Sequence, residues 1–381
     1  MIIAVNTRLL KPQRLEGIGV FTLQIFQRLV EKHPEHQFHF IYDHTDFSLM
    51  GDHSNVFHHR LFPPARRPWL FDWWLDFSIP RLLKKIKADI FISPDGHGSL
   101  RCTCPSLTVI HDLNFLHFPH LLPKMYAKYW NRHTPQVVIK STRIATVSDF
   151  SKQDIINSYG IPSDQIDVLN NGYTSDWAPI SDETRKIAQT RFSGGNPYFI
   201  YVGSIHPRKN VQNIIAGFDL FKDQHKTNFD LVIVGTPMWE KQATDWMKNT
   251  RHAEHIHWAG RLEGKDLHHA IAGASALLLL SIYEGFGIPM VEAFACGTPV
   301  LAAHNSALIE VGGDAVLFAT AEDVSDIASK LHQLSVDTSL CDALKQKGLE
   351  RKSRYTWERA ADSMWNSIQK TIQDAQGKME S

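Results

Sequence analysis

The sequence predicts an α/β protein built from two halves of about equal length, each with a mostly parallel sheet covered by helices. Three observations support this prediction. Strand-like and helix-like segments alternate through the first half, the alternation stops in a polar segment, and it then starts again. Alternation of this kind is typical of parallel sheets. A chain of 381 residues is also long enough for two or three domains.

The first half, residues 1–175, contains seven strand-like segments. They are separated by stretches in which apolar residues recur with a helical period. The predicted strands are Ile2–Asn6, Gln37–Tyr42, Val56–Phe62, Asp89–Ser93, Leu107–His111, Arg143–Val147 and Ile166–Leu169. The predicted helices are Val20–Glu31, Phe71–Ile86, Lys124–Lys140 and Lys152–Tyr159.

A polar segment separates the two halves. Prolines and glycines interrupt residues 176–196, so we predict a linker there with one short helix at Asp182–Arg191. Residues 197–356 form the second predicted domain. Because open parallel sheets bind ligands at the carboxyl ends of their strands, we expect a ligand-binding cleft between the two halves. The predicted elements of the second half are strands Tyr198–Val202, Phe229–Val234, His255–Trp258, Ala276–Leu280, Pro299–Ala302 and Ala315–Phe318, and helices Val211–Asp223 and Ala243–Asn249.

Composition limits the classes of function. The 40 basic and 40 acidic side chains cancel, which argues against a nucleic-acid-binding protein. The four cysteines are expected to be reduced thiols, and no residues show the spacing of metal ligands, so we predict no metal site. Neither a signal peptide nor an apolar run long enough to span a membrane is visible, and we expect a cytoplasmic protein.

The strongest motif lies at residues 281–299, SIYEGFGIPMVEAFACGTP. A buried strand leads into a glycine-bearing loop, and a helix follows with Pro289 at or just before its first turn. Glu284 stands at the end of the strand and Glu292 on the helix. Glycines let a ligand approach the backbone, and N–H groups at a helix start donate to polar ligands. The pattern suits a polyhydroxylated, anionic ligand, and the plain alternative is an ordinary turn with two surface acids.

A second motif lies at Tyr198–Asn210, YFIYVGSIHPRKN. A strand ends at Gly203 and Ser204, and Arg208 and Lys209 then precede a helix. Two cations beside the N–H groups of a helix start suit a diphosphate. The alternative is a pair of solvated charges in front of a helix.

Two weaker motifs lie in the first half. Gly17 and Gly19 follow the first strand, but Thr22 stands where a dinucleotide-binding fingerprint needs its third glycine. A nicotinamide oxidoreductase therefore ranks last, and a turn that needs glycine is the simpler interpretation. His111 and Asp112 follow another strand and should lie at the ligand-binding edge of the sheet. A histidine at the end of a strand is nevertheless often structural.

The segment 281–299 resembles the E-x7-E signature of the retaining nucleotide-sugar glycosyltransferases of family 4, and the other motifs agree with this resemblance. It implies the GT-B fold, in which two Rossmann-like domains face each other across a cleft and the C-terminal helix, here within 357–381, returns to the first domain. It also implies a nucleotide-diphosphate sugar as donor, with no separate cofactor. No Asp-x-Asp triplet occurs in the chain, which favours neutralisation of the diphosphate without a metal.

The resemblance also assigns roles to motif residues. It implies that Glu284 contacts the donor sugar together with the loop residues Gly285, Phe286 and Gly287, and that Glu292 holds the ribose.

Arg208 and Lys209 are implied to bind the diphosphate as it leaves, and His111 to lie near the reacting sugar. These two cations, His111 and Glu284 are the predicted catalytic residues. The remaining predicted substrate contacts are Gly17, Gly19, Asp112, Gly203, Ser204, Arg261 and Leu262.

The overall similarity favours mannosyltransferases of bacterial surface-polysaccharide assembly, with GDP-mannose as donor and a glycan or lipid-linked acceptor. Three alternatives stay open: a UDP-sugar-dependent transferase of the same family, a nucleotide-sugar epimerase of the same fold, and a non-catalytic sugar-nucleotide-binding protein. Residues 66–87 carry three tryptophans, two phenylalanines and a basic end. They suit a core helix or a contact with a membrane or lipid acceptor, and the second interpretation would place the protein at the inner face of the plasma membrane.

Overall fold

The computed structural model describes residues 1–12, 15–65, 67–237 and 250–380. The chain divides into two compact units, one comprising Met1–Asn171 with Trp357–Ser381 and the other comprising Gly172–Thr356. Each unit contains one sheet in which every strand pair is parallel. The predicted α/β fold with two parallel sheets is therefore confirmed.

The sheet of the first unit has seven strands in the order β3-β2-β1-β4-β5-β6-β7. Its central strands are buried along their whole length, as expected for a parallel sheet covered on both faces. The edge strand β3 is less buried, with Phe57 and Arg60 exposed. The strands are β1 (Ile2–Asn6), β2 (Gln37–Tyr42), β3 (Val56–Arg60), β4 (Ile90–Ser93), β5 (Ser106–Val109), β6 (Arg143–Thr146) and β7 (Ile166–Val168).

The helices of the first unit largely follow the predicted apolar periodicity, but three of them begin three residues earlier than predicted, at Gly17, Pro68 and Asp149. The first helix begins at Gly17 rather than Val20, so both glycines of the predicted loop lie in its first turn. A π-helical turn at Trp74–Ser78 joins the second and third helices into one rod. The helices before the second unit are α1 (Gly17–Lys32), α2 (Pro68–Trp73), α3 (Ile79–Ile86), α4 (Asn114–His117), α5 (Lys124–Lys140) and α6 (Asp149–Tyr159).

The second unit contains a six-stranded sheet in the order β10-β9-β8-β11-β12-β13. The predicted helix Ala243–Asn249 lies outside the described residues. The strands are β8 (Tyr198–Val202), β9 (Asp230–Val234), β10 (Ile256–Gly260), β11 (Ala276–Leu279), β12 (Val300–Ala303) and β13 (Leu317–Ala319). The described helices are α7 (Asp182–Ser193), α8 (Val211–Gln224), α9 (Gly264–Gly273), α10 (Ile288–Cys296), α11 (Ser306–Gly312), α12 (Val324–Val336) and α13 (Thr338–Arg351).

Residues 176–196, which we expected to be a linker, lie within the second unit. Ser181 caps helix α7 by accepting a hydrogen bond from the Thr184 N–H group. Arg191 then forms a two-pronged ion pair with Asp266 on α9, at 2.6 and 2.7 Å. This ion pair attaches helix α7 to the rest of the second unit, so the unit includes the segment that we expected to be a linker.

The last helix, α14 (Trp357–Glu380), belongs to the first unit. Trp357 is fully buried and lies edge-to-face against Phe21 of α1. Ion pairs join the same two helices, with Glu358 bound to Arg28 at 2.8 Å. Burial of one large aromatic residue and complementary charges along α1 explain why this helix packs there. Among the described residues, no helix is both long enough and apolar enough to cross a bilayer.

Candidate functional site

Two neighbouring strands of the second unit bring the main predicted residues together. Strands β8 and β11 pair in parallel, so the loops that follow them leave the same edge of the sheet. The Ile282 N–H group donates to the Arg208 carbonyl at 2.9 Å, which joins the two loops. The Asn210 side chain donates to the Leu280 carbonyl at 3.0 Å. This cross-linking places residues about 75 positions apart in the sequence side by side.

Glu284 is the centre of this site. Its carboxylate is buried, with 6% of the residue exposed. One oxygen accepts hydrogen bonds from Lys209 Nζ at 2.5 Å and from Ser281 Oγ at 2.7 Å. The other accepts from Arg208 Nη1 at 3.0 Å. Two cations thus share one buried acid, and the cluster carries a net positive charge.

The two cations decide the protonation of this acid. Burial raises the pKa of Glu284, but the charges of Lys209 and Arg208 outweigh burial and lower the pKa to about 2. Glu284 is therefore an ionised acceptor at neutral pH. Such a group suits the hydroxyls of a sugar, whereas the excess positive charge suits phosphate oxygens.

The loop after Glu284 is built for close backbone packing. Gly287 has φ +98°, and a Cβ atom there would lie 2.8 Å from a methyl carbon of Leu308. Phe286 is buried with its ring edge-to-face against Tyr355. The Phe286 side chain therefore belongs to the core, and only its backbone and that of Gly285 are suited to contact a ligand.

Glu292 lies on α10 in a half-buried position, eight residues after Glu284. Its carboxylate has no hydrogen-bond or ion-pair partner among the residues that the structure describes. Burial raises the pKa of Glu292 to about 8. A half-buried acid with no partner in the described part of the chain suits a ligand that supplies hydroxyl donors.

The Glu292→Gln variant should be more stable than the wild type at pH 8. Because the folded-state pKa lies above the ordinary value of 4.5, the stability that protonated Glu292 contributes is full below pH 4.5 and is lost as the pH rises to about 8. Glutamine avoids this loss, and we expect the free energy of unfolding at pH 7 to be about 3 kcal/mol higher in the variant than in the wild type. Urea unfolding at pH 4.5, 7 and 8 measures it.

The matched control is Glu322→Gln, which removes an exposed acid of the same unit. Its unfolding midpoint should follow that of the wild type at each pH. Equal stability of Glu292→Gln and wild type at pH 8 would show that Glu292 is ionised in the folded protein.

Glycines in the turns after β8 and β9 let the two turns pack closely, backbone against backbone. Gly203 has φ +154° and Gly235 has φ +145°, and a Cβ atom on Gly235 would lie only 1.8 Å from the Gly203 carbonyl oxygen. Ser204 accepts a hydrogen bond at its carbonyl from the Tyr201 hydroxyl at 2.8 Å. Gly235 was not among the predicted site residues, although a glycine directly after the apolar strand β9 was a usable signal.

Arg261 and Leu262 follow the edge strand β10. Arg261 Nε donates to Glu263 at 2.6 Å, and a third of its side chain is exposed. Leu262 lines an open surface pocket together with Phe192 and Trp258. The predicted contacts of both residues with the base stay predictions.

In the first unit, His111 and Asp112 have structural partners. The His111 ring donates from Nε2 to the Pro94 carbonyl at 2.8 Å and lies edge-on against Phe21. Burial lowers the pKa of His111, which favours a neutral ring. Asp112 accepts from the backbone and side chain of Asn114 and so stabilises the start of the short helix α4.

Gly17 and Gly19 lie in the first turn of α1, which corrects the prediction of a glycine loop before the helix. A Cβ atom on Gly19 would lie 2.8 Å from a Leu15 methyl carbon and 3.0 Å from the Leu9 carbonyl oxygen. Close packing of the preceding segment on the helix therefore explains Gly19 without a ligand.

Sequence analysis also missed a buried charged cluster at the carboxyl ends of β1 and β4. Arg8 Nε donates to Asp95 at 2.6 Å, and the same guanidinium lies 2.9 Å from a ring nitrogen of His97. Asn6 donates to Asp95 as well. Burial raises the pKa of Asp95, but Arg8 and His97 lower it overall. The signal available in the sequence was the polar run directly after strand β4.

Comparisons with known proteins indicate the family of this chain. Residues 15–177 match the family model described as "Glycosyltransferase Family 4", and residues 182–351 match the one described as "Glycosyl transferases group 1". Among similar proteins, the O-antigen chain mannosyltransferase B of Escherichia coli is 28% identical over 93% of this chain and 96% of its own length. The O-antigen chain mannosyltransferase RfbU of Salmonella typhimurium is 24% identical over 67% of each chain.

Solved structures share the fold over nearly the whole chain. The lipopolysaccharide glycosyltransferase WaaG superposes with a TM-score of 0.76 at 16% identity, covering 94% of this chain and 98% of its own. Anabaena HepE in complex with UDP-glucose superposes with a TM-score of 0.77 at 13% identity, covering 97% of this chain and all of its own. These likenesses confirm the GT-B type of two-domain fold. The chain belongs to the glycosyltransferases, with a first domain of family 4 and a second domain of group 1.

Proposed function

We propose that this glycosyltransferase moves mannose from GDP-mannose to a glycan or lipid-linked acceptor in cell-surface polysaccharide synthesis, with retention of configuration and without a metal. The observation that carries the proposal is the cluster in which Arg208 and Lys209 share the buried carboxylate of Glu284. It places donors for phosphate oxygens and an acceptor for sugar hydroxyls within one side-chain length of each other.

In this proposal, the two cations stabilise the leaving diphosphate. The guanidinium of Arg208 offers a planar fork to two phosphate oxygens, and Lys209 offers a compact charge. Negative charge grows on the diphosphate as its bond to the sugar breaks, so preorganised cations act most strongly at the transition state. Because the cluster has one more cation than acid, this role needs no additional metal.

Glu284 positions the sugar by accepting hydrogen bonds from its hydroxyls. The bond between the anomeric carbon and the diphosphate oxygen breaks with its electron pair leaving on the phosphate, through an oxocarbenium-like state. The acceptor hydroxyl then attacks from the same face, and its proton passes to a leaving phosphate oxygen. This route gives retention without a carboxylate nucleophile.

The proposed sugar rests on relatives. Two similar proteins are named as O-antigen chain mannosyltransferases, which supports mannose and polysaccharide synthesis. A UDP-sugar donor is the second candidate, because structural neighbours from Anabaena are described in complex with UDP and UDP-glucose. These neighbours share only 13 to 14% of their residues with this chain, so we rank GDP-mannose first.

A thermal-shift screen with GDP-, UDP-, ADP- and dTDP-sugars tests the donor. A ligand present at about a hundred times its Kd stabilises the folded form by about 2.7 kcal/mol, so GDP-mannose should raise Tm by several degrees. The UDP-sugars should produce a smaller shift. A larger Tm shift with a UDP-sugar would show that the donor is a UDP-sugar and not GDP-mannose.

Product analysis separates the remaining functions. A transferase releases GDP when an acceptor is present, and NMR of the product should show the anomeric configuration of the donor. An epimerase would convert the donor without an acceptor, and a binding protein would show the thermal shift without nucleotide release. Inversion of the anomeric centre would contradict the proposed chemistry.

A further inference from the structure

We propose that the first unit binds an anionic phospholipid surface through an aromatic-basic face on the helical rod α2–α3. This inference concerns a surface separate from the Glu284 cluster and does not depend on the identity of the donor. The aromatic-basic face comprises Phe62, Trp69, Trp73, Phe77, Arg81, Lys84, Lys85 and Arg101.

The aromatic part of this face is exposed. Trp69 is 64% exposed and Trp73 is 51% exposed, one helical turn apart. Phe77 lies one turn further and stacks on Trp73 with ring centroids 5.0 Å apart. Phe62 is 79% exposed and is held beside the rod because Ser78 Oγ donates to its carbonyl at 2.6 Å. Four large aromatic side chains thus lie together on the surface.

Core packing does not explain this face. The opposite side of the same rod is fully buried, with Trp74 and Leu75 at 0% and 1% exposure in the core of the first unit. The predicted core helix is therefore confirmed for one side of the segment only, with Trp74 buried and Trp69 and Trp73 exposed, and the membrane contact stays a prediction. Arg66, at the start of that segment, lies outside the described residues.

Cations continue the stripe at helical spacing. Arg81 follows Phe77 by four positions, and Lys84 and Lys85 follow Arg81 by three and four. All three are exposed. Arg101, also exposed, places its guanidinium carbon 4.4 Å from the centre of the Phe77 ring. The face therefore joins aromatic side chains directly to positive charge.

The two acids of the rod are engaged by the protein. Asp72 accepts from Arg132 at 2.8 Å. Asp76 accepts from the Leu100 N–H group at 2.7 Å and from Ser99 Oγ at 3.3 Å. Asp72 is paired with a cation, and the four cations of the aromatic-basic face outnumber Asp76, so this face presents a net positive charge to solvent. Charge complementarity thus favours an anionic partner.

A lipid surface fits these features better than a protein groove. Tryptophans favour the boundary between headgroups and acyl chains, where the ring is apolar and the indole N–H is hydrated. Lysines on long stems attract anionic headgroups without a fixed geometry. A convex helical rod with both features can settle into the headgroup layer without a shaped cavity.

Vesicle sedimentation of the full chain tests this proposal. The wild type should bind phosphatidylcholine vesicles that contain phosphatidylglycerol, and should bind pure phosphatidylcholine about tenfold more weakly. High salt should reduce binding to the anionic vesicles, because it screens the basic part of the face. Failure to bind the anionic vesicles would overturn the proposal.

Paired variants identify the face. Trp69→Ala/Trp73→Ala and Lys84→Glu/Lys85→Glu should each reduce binding to anionic vesicles by about tenfold or more. The controls are Ile139→Ala, an apolar residue exposed elsewhere on the first unit, and Lys186→Glu/Lys265→Glu, two exposed lysines of the second unit. The controls should bind like the wild type, and equal loss in them would overturn the assignment of the face.

Two further readouts separate this proposal from loss of fold and from the proposed function. The altered side chains are exposed, so Tm should stay close to that of the wild type, and nucleotide release from the donor with a soluble acceptor should be unchanged. If all variants bound vesicles normally while a protein partner was lost, the face would be a protein-docking surface and the lipid assignment would be wrong.

Discussion

Replacing Arg208 with alanine is expected to reduce kcat by about 10²- to 10³-fold, the effect of removing one preorganised charge-stabilising donor. The variant lacks the contact between the Arg208 side chain and Glu284 and the predicted contact between that side chain and the diphosphate. Lys209 and Ser281 still bond to Glu284, so the acid stays anchored and the variant should fold. Steady-state kinetics with saturating donor and acceptor measure the change.

The matched control for Arg208→Ala is Arg191→Ala. Arg191 is an arginine of the same unit that forms an ion pair with Asp266 at the surface. Exposed pairs of this kind contribute little, so its kcat should equal that of the wild type. The Lys209→Ala variant should resemble Arg208→Ala, because both cations face the same acid. Near-normal turnover in both cluster variants would show that these cations do not stabilise the leaving group.

The Glu284→Gln variant should lose about 10²-fold or more in kcat while keeping the shape of the side chain. The amide removes the negative charge that holds Arg208 and Lys209 in place, and it accepts sugar hydroxyls more weakly. Two partly buried cations also lose their counter-charge, so the free energy of unfolding at pH 7 should fall. Urea unfolding and kinetics on the same preparation separate the two effects.

The stability difference between wild type and Glu284→Gln should depend on pH. The pKa of Glu284 is about 2 in the folded state and ordinarily 4.5, so the stability it contributes is full above pH 4.5 and is lost as the pH falls to about 2. The two proteins should therefore converge in acid. Glu254→Gln, which removes a largely exposed acid of the same unit, should track the wild type throughout. A difference that persists at pH 2 would show that packing, rather than charge, explains the loss.

Local sequence patterns were sufficient for the elements that build the site. Runs of apolar residues predicted β8 and β11 to within one residue, because a strand in the middle of a parallel sheet must be apolar on both faces. The helix after Gly287 was predicted with Pro289 at or just before its first turn, and it begins at Ile288, so Pro289 lies in that turn. Predicted helix starts differ from the observed ones where glycine or proline is present, because both residues are found in turns and in the first turn of a helix.

The same patterns did not indicate which residues pack closely within the fold. Phe286 and Gly19 were predicted to contact the ligand, yet the Phe286 side chain is a core residue and Gly19 allows close packing on Leu9 and Leu15. Trp69, Trp73 and Trp74 are identical in chemistry, and only the packing of the rod separates the buried one from the two exposed ones. Periodicity alone did not indicate which side of the helix the sheet would cover.

By itself, the sequence determined the α/β class, the two parallel sheets and the chemical types available at the strand ends, since these depend on apolar periodicity and on residues adjacent in the chain. Only the tertiary structure decided that Arg208, Lys209 and Glu284 meet. Their contact requires β8 and β11 to be neighbours although β9 and β10 lie between them in the chain. In that contact the two cations outweigh burial and keep Glu284 ionised, whereas burial alone raises the pKa of Glu292 to about 8. Such shifts arise from distance and desolvation, which no linear pattern of residues specifies.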